Sequence, residues 1–385
     1  MATSMNRRNW LRTSSMLTGG LAFLPAIWNK LEAAPVTPAG NMLSEAEFLA
    51  DVPPAIKTRL SANENPFGPS DSAKKAISEA LSSSYKYGFM ENRTLAEKIT
   101  AKYGVNKEMI LLGAGSTPLL RASAIHFSKE GGNIVTGDPS YEDLPSHATT
   151  FNTKWVKVPL TADYKLDLDA MEKAVDANTK LVCICNPNNP TGTSLDPAKL
   201  KAFCERVSKK APVFVDEAYI DYLPDPQAAT VVDLVKAGHN VIVARTFSKL
   251  YGFAGLRIGY AITTPELLKQ LELYNCDGAL SALSVKAAIA AFDDKEYLKT
   301  ALEKTIASKE YLYTVLKAEG YEYIPSSANF VMFPIKMDGR RFNEEMFKRS
   351  VSIRNWKFNN KDWCRVSIGT MDEMKAFAEA FKEIS

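Results

Sequence analysis

The stretch Arg-Thr-Phe-Ser-Lys-Leu-Tyr-Gly-Phe-Ala-Gly-Leu-Arg-Ile-Gly-Tyr, residues 245–260, decides the reading of this 385-residue chain. Lys249 stands there among Leu250, Phe253 and Leu256, with Arg257 eight residues further on. An amine attacks a carbonyl only when neutral, and desolvation or a nearby cation lowers its hold on the proton. This stretch offers both. A lysine taken alone reads as a surface group, so the weight falls on what precedes it.

Upstream, the apolar run 212–215 leads into Asp216-Glu217-Ala218-Tyr219. Such a run predicts a buried parallel strand ending in a carboxylate. Ligands of α/β sheets sit at the carboxyl ends of strands, so Asp216 falls where a site belongs, although Asp is also a good helix N-cap. A second run, 180–185, leads into Asn186-Pro187-Asn188-Asn189-Pro190-Thr191-Gly192, which alone is ordinary turn chemistry. Residues 109–112 read as a strand, after which Gly113-Ala114-Gly115-Ser116-Thr117 opens a helix carrying Leu119, Leu120 and Ala124. A glycine turn at a helix N-terminus presents N–H groups to an anion. It is no nucleotide fingerprint, because the third glycine and a Gly-Lys-Ser are both missing. Residues 133–136 predict another strand, followed by Asp138-Pro139-Ser140-Tyr141. Amine, carboxylate, neutral donors and anion cup together form the set that pyridoxal phosphate needs.

In this order the motifs resemble the fold-type I pyridoxal-phosphate-dependent aminotransferases, closest to the histidinol-phosphate aminotransferase group, over about residues 55–385. The resemblance implies three catalytic residues: Lys249 for the Schiff base and proton shuttle, Asp216 for the ring nitrogen, and Tyr219. Tyr219 and Asn189 would meet the ring hydroxyl oxygen, and Tyr141 would stack on the ring. Gly115, Ser116, Thr117, Thr246, Ser248 and Arg257 would hold the phosphate. Tyr87 would reach the cofactor phosphate of a neighbouring subunit, which implies a homodimer with shared sites. Arg365, in Trp363-Cys364-Arg365-Val366-Ser367-Ile368-Gly369, is a lone cation on an apolar strand and needs a partner. A guanidinium suits a carboxylate, and the resemblance assigns it the substrate α-carboxylate. Arg354 resembles a second arginine that meets the substrate's distal group. Asn63 and Asn65, within Leu60-Ser61-Ala62-Asn63-Glu64-Asn65-Pro66-Phe67-Gly68, are further substrate candidates.

The implied reaction is a ping-pong exchange of an amino group between an amino acid, or a histidinol-phosphate-like amine, and a 2-oxo acid. The same residues would support a phosphothreonine-type decarboxylase or a racemase. A cofactor-retaining binding protein without turnover is a third reading, opposed by the intact Lys249, Asp216 and Tyr219. Three departures from the family pattern stand out: Thr117-Pro118 after the phosphate glycine, Gly88-Phe89-Met90 after Tyr87, and Glu142-Asp143 after Tyr141. If Glu142-Asp143 faces inward it adds negative charge to the pocket, favouring a neutral or aromatic amino acid over a phosphorylated one.

Strand-like runs alternate with helical patterns over 70–275, which predicts an α/β large domain. The resemblance gives it a mostly parallel, mixed seven-stranded sheet flanked by helices. Helical periodicity over 279–319 and short strands near 329–333, 351–354 and 364–368 predict a smaller α+β domain, residues 276–385. Residues 35–69, with Pro35, Pro38, Pro53 and Pro54, read as an N-terminal arm. Residues 1–34 place Arg7, Arg8 and Arg12 before a modestly apolar stretch interrupted by Gly19, Gly20 and Pro25. It is too short to span a bilayer well and reads as an export signal that resembles the twin-arginine type. The expected location is therefore periplasmic or exported, with the cytoplasm as the alternative and no stable membrane anchor.

Lysines and arginines number 47 against 44 aspartates and glutamates, a net charge of +3. The leader alone carries that excess, so no basic surface argues for nucleic acid. Five cysteines and three histidines suggest neither a disulfide framework nor a zinc site, and no metal is expected.

Overall fold

Continuous apolar runs become strands buried on both faces. The computed structural model describes residues 56–275 and 280–385; the expected export signal and most of the expected arm lie outside them. Twelve strands occur among the described residues: β1 (Thr58–Arg59), β2 (Ile110–Gly113), β3 (Asn133–Asp138), β4 (Lys154–Pro159), β5 (Thr179–Cys185), β6 (Val213–Asp216), β7 (Val241–Thr246), β8 (Gly259–Ile262), β9 (Phe330–Pro334), β10 (Val351–Ser352), β11 (Arg354–Phe358) and β12 (Lys361–Ser367).

Seven of them form one mixed sheet in the order β2-β8-β7-β6-β5-β3-β4. Only β8 runs against its neighbours. All the others therefore end at the same edge, where Gly113, Asp138, Cys185, Asp216 and Thr246 are the last strand residues. Alternation along β6 and β7 sends Val213, Val215, Val241 and Val243 into one apolar cluster, and Phe214, Ile242 and Ala244 into another. The first cluster is closed by helices Asp71–Ala80, Phe89–Tyr103, Pro197–Val207 and Ala282–Phe292, through Ala73, Leu95, Leu200 and Val285. The second is closed by Thr117–Ser128, Asp143–Thr149 and Pro265–Glu272, through Leu120, Leu144 and Leu268. A two-faced core of this kind keeps the sheet edge rigid enough to carry a site.

Strands β11-β12-β9 form a separate antiparallel sheet. It packs with the 24-residue helix Lys295–Ala318 and with Met371–Lys382 around Leu312, Leu316, Phe333, Phe377 and Phe381. Thr370 and Glu373 cap the last helix reciprocally. The single strand expected at 351–354 is divided instead. Val351 and Ser352 pair in parallel with Thr58 and Arg59, whereas Arg354 opens β11 directly opposite Arg365. One short segment serves two sheets, so the chain must turn between them at Ile353.

Candidate active site

The edge formed by the strand ends gathers most of the sequence-identified residues. Asp216 closes β6, is 5 % exposed, and accepts a hydrogen bond from Ala218 N at 3.0 Å. Burial pushes its carboxyl up to about 6, against the opposing pull of Lys249. That is a carboxylate short of a cation. Lys249 follows β7, and its Nζ donates to the Asn63 carbonyl at 3.3 Å and lies 5.3 Å from the Tyr219 ring centroid. Tyr219 is buried against Phe330, its hydroxyl accepting from Asn63 Nδ2 at 3.0 Å.

An anion cup lies beside them. Gly113 of β2 and Thr246 of β7 both pair with Gly259 of β8, which brings the 113–117 turn against the start of the lysine loop. Ser116 heads the helix Thr117–Ser128 without a side-chain cap. Thr246 Oγ1 donates to Ser248 Oγ at 2.9 Å and accepts from Ser248 N at 3.0 Å. Arg257 reaches Ser248 Oγ at 3.3 Å and the Ala114 carbonyl at 3.2 Å, and holds a left-handed backbone with φ 57°. Gly115, at φ 83°, leaves the space the guanidinium fills, because a Cβ there would collide with it. A strained arginine at a vacated glycine, with an uncapped helix end and two hydroxyls, suits a phosphate.

Arg365 arrives from the small sheet. It is 2 % exposed, donates from Nη1 to Asn189 Oδ1 at 2.6 Å and from Nη2 to the Ser61 carbonyl at 2.7 Å, and its buried Nε has no partner. Among the described residues no carboxylate comes within ion-pair distance of it. Burial pulls its pKa down to about 9. Arg354 stands opposite across the β11–β12 pair, within electrostatic reach of both Arg365 and Glu142. Glu142 is half-buried, and burial raises its carboxyl, with Lys157, Asp138 and Arg354 in its field. Asp143 pairs with Arg121 at 3.3 Å and bears on Asp216. Tyr141, partly exposed, bears on Arg365.

Asn63 and Asn65 are braces in this fold. Asn63 takes φ 54°, gives its amide to Tyr219 and accepts from Ser367 Oγ at 2.9 Å. Asn65 donates to the Leu250 carbonyl at 2.7 Å and so steadies the residue after Lys249. Tyr87 is not brought to this site by its own chain. It is 82 % exposed, beside Tyr85, Phe89 and Met90, which are also exposed.

Several positioning residues escaped the sequence reading. Asn188 donates to the Pro139 carbonyl and accepts from Ser140 Oγ at 2.7 Å, fastening the loop of Asn189 to that of Tyr141. Its place inside a doubly proline-flanked asparagine run was the available signal. Asn329 donates to the Asn63 and Glu64 carbonyls. Trp356 places its ring 4.6 Å from Arg365 Cζ and 5.4 Å from Arg354 Cζ.

The donor set fits pyridoxal phosphate on the structure's own terms: an anion cup, a cation-short carboxylate and a lysine amine share one edge. Lys249 would hold the aldehyde carbon, Asp216 the pyridine nitrogen, and Ser116, Ser248 and Arg257 the phosphate.

Comparison with known proteins agrees. The model of the family described as aminotransferase class I and II matches residues 55–381. A histidinol-phosphate aminotransferase of Moorella thermoacetica is 35 % identical over 356 residues, covering 92 % of this chain and 91 % of that protein. An aromatic amino acid aminotransferase of Mycolicibacterium vanbaalenii is 36 % identical over 329 residues, covering 85 % and 91 %. The crystal structure of histidinol-phosphate aminotransferase from Sinorhizobium meliloti in complex with pyridoxal-5'-phosphate is 28 % identical with a TM-score of 0.82, covering 89 % of this chain and 96 % of that one.

Proposed function

The chain belongs to the class I and II aminotransferase family and is a pyridoxal-phosphate-dependent aminotransferase; we propose that its amino donor is a neutral or aromatic α-amino acid rather than a phosphorylated amine. The bound cofactor supplies the carbonyl that takes the amino group and the ring that draws electrons from Cα. The protein's residues do the rest. Arg365 orients the α-carboxylate, Lys249 carries the proton to and from Cα, and Asp216 keeps a proton on the pyridine nitrogen. Asn189 and Tyr219 would hold the ring hydroxyl oxygen. The buried Arg365 carries this reading: a desolvated guanidinium with an idle N–H is a standing demand for a carboxylate ligand.

The side-chain preference rests on Glu142. Its half-buried carboxyl shares the field of Arg354, Lys157 and Asp138, so the positive charge of Arg354 is partly answered by the protein itself. A phosphate at that position would meet a carboxylate as well as a guanidinium. The test is a titration of the holoenzyme's visible absorbance with amino acids and histidinol phosphate. Loss of the band with phenylalanine, tyrosine or leucine, and its return with a 2-oxo acid, is expected. A catalytic efficiency for histidinol phosphate clearly above those three would overturn the preference, and a change that no 2-oxo acid reverses would indicate decarboxylation or racemisation.

The working unit in this reading is a homodimer in which Tyr87 serves the neighbouring cofactor phosphate. Its exposure, together with that of Tyr85, Phe89 and Met90, supports the assignment. Mixing inactive Tyr87→Ala and Lys249→Ala proteins after subunit exchange should restore activity, because one site of the mixed dimer is then intact. Export through the twin-arginine-like leader is proposed on the sequence of residues 1–34. Arg7→Lys/Arg8→Lys should trap the enzyme in the cytoplasm, and unchanged fractionation would sink the proposal.

A further inference from the structure

Ser367 closes β12 two residues after Arg365 and is 3 % exposed. Two hydrogen bonds join it to Asn63, which is also buried. The Asn63 backbone N–H reaches Ser367 Oγ at 2.8 Å, and that Oγ meets Asn63 Oδ1 at 2.9 Å. A backbone N–H can only donate, so the serine oxygen accepts from it. The serine proton then goes to the amide oxygen, which leaves the amide nitrogen pointing at Tyr219. Asn63 Nδ2 donates to the Tyr219 hydroxyl at 3.0 Å. An amide nitrogen cannot accept, so the phenol proton is not spent on Asn63. From backbone N–H through serine and amide to phenol, every bond points the same way. Both ends are held in place. Ser367 N donates to the Leu60 carbonyl at 2.8 Å, Asn329 donates to the Asn63 carbonyl at 3.1 Å, and Asn63 keeps its left-handed backbone at φ 54°. The Tyr219 ring packs edge-on against Phe330 at 5.1 Å, the residue paired with Ser367 across β12 and β9.

We propose that Ser367 is a positioning residue that sets the polarity of this hydrogen-bond chain, so that the Tyr219 hydroxyl faces the cofactor's ring oxygen as a donor and not as an acceptor. The proposal rests on reading Tyr219 as a partner of that oxygen, and adds which group dictates the direction of its proton. A phenol between two polar neighbours can turn its proton to either one. Were the amide reversed, Tyr219 would donate to Asn63 Oδ1 and present a lone pair to the ring oxygen. Two acceptors would then face each other, and the contact would be lost. Ser367 opposes that reversal by claiming the amide oxygen for its own proton. Aligned hydrogen bonds also polarise one another, which strengthens the phenol as a donor. Ser367 thus acts through Asn63 and Tyr219 rather than on the cofactor itself.

The test compares the parent with Ser367→Ala, Ser367→Cys, Ser367→Thr and Tyr219→Phe, and none of its readouts needs turnover. Fluorescence titration of cofactor-free protein gives the affinity for pyridoxal phosphate and for its 3-deoxy analogue, which lacks the ring hydroxyl. Ser367→Ala should weaken pyridoxal phosphate by about tenfold and leave the analogue within about twofold. Ser367→Thr keeps the hydroxyl and should stay within about threefold of the parent for both. Ser367→Cys keeps the volume with a weaker donor and should show the same selective loss, which decides the matter if the Ala variant fails to fold. A donor to the ring oxygen stabilises its negative charge. The pH midpoint of the holoenzyme's visible absorbance change should therefore rise by about one unit in Ser367→Ala, the counterpart of that tenfold. Adding Ser367→Ala to Tyr219→Phe should move the midpoint no further, because no phenol proton is left to direct. Equal losses for both cofactors, additive shifts, or an unmoved midpoint in Ser367→Ala where Tyr219→Phe moves it, would overturn the proposal alone. An unmoved midpoint in Tyr219→Phe would overturn the Tyr219 assignment and the proposal together.

Discussion

Glu217 and Arg245 are chain neighbours of Asp216 and Thr246, yet they live in a different electrostatic world. Arg245 is 4 % exposed and Glu217 1 %. Arg245 donates from Nε to Glu217 Oε2 at 2.9 Å and from Nη1 to the Tyr103 hydroxyl at 2.8 Å. Glu217 also accepts from Thr230 Oγ1 and Val231 N. In this pair each charge is answered by protein, Arg245 Nη2 lying 2.8 Å from Glu217 Oε2. Asp216 and Arg365 are as deeply buried, but their charges are not answered in the same way. The first arrangement ties two strand ends together; the second waits for a ligand. Burial of charge alone therefore does not mark a site, whereas burial with an unfilled partner does.

The contrast can be broken at either end. The largest effect is expected from Lys249→Ala, which should lower turnover by roughly a thousandfold or more with little change in unfolding midpoint; steady-state rates and urea melts together check it. Next, Glu217→Leu strands the Arg245 charge and should cost about 3–5 kcal/mol in urea unfolding. The double change Glu217→Leu/Arg245→Leu should recover most of that loss. Arg365→Leu should behave in the opposite sense. Cofactor-free protein should melt no lower than the parent, while kcat/KM for phenylalanine falls by about a hundredfold.

The smallest effect is a pH signature at Asp216. Its carboxyl titrates at about 6 when folded and at 3.8 ordinarily, so the fold favours the protonated acid. The corresponding stability is fully present below about 3.8 and is lost as pH rises to about 6. Cofactor-free Asp216→Asn should thus match the parent near pH 4 and exceed it by roughly 2–3 kcal/mol above pH 6 in urea melts. Loading with pyridoxal phosphate should erase the difference. A constant gap across pH would mean the open carboxylate is not what the comparison makes it.

How much of this was written in the sequence depends on whether an element carries its own signal. β5 and β6 are continuous apolar runs and were legible within a residue. The residues after them were legible too, because strand ends and turns bracket them. β4 has a mixed, half-exposed pattern, Lys-Trp-Val-Lys-Val-Pro, and gave no comparable signal. Arg354 could be named, but its position opposite Arg365 comes from register, which no local pattern encodes. Trp356, in Asn-Trp-Lys-Phe-Asn-Asn, was not singled out from the sequence, and its place beside Arg365 comes from the pairing of β11 with β12. The bracing roles of Asn63 and Asn65 depend on partners 156 and 185 residues away.

The pairing of β1 with β10 sets a timetable. Thr58 and Arg59 find their strand partner only when Val351 and Ser352 exist, and Ser61 meets Arg365 across 304 positions of chain. The segment that lends carbonyls to Lys249 and Arg365 is synthesised early and seated late. A ribosome must therefore deliver nearly the whole polypeptide before the reactive lysine acquires its surroundings, and a prematurely released fragment would carry the amine without the pocket that disciplines it.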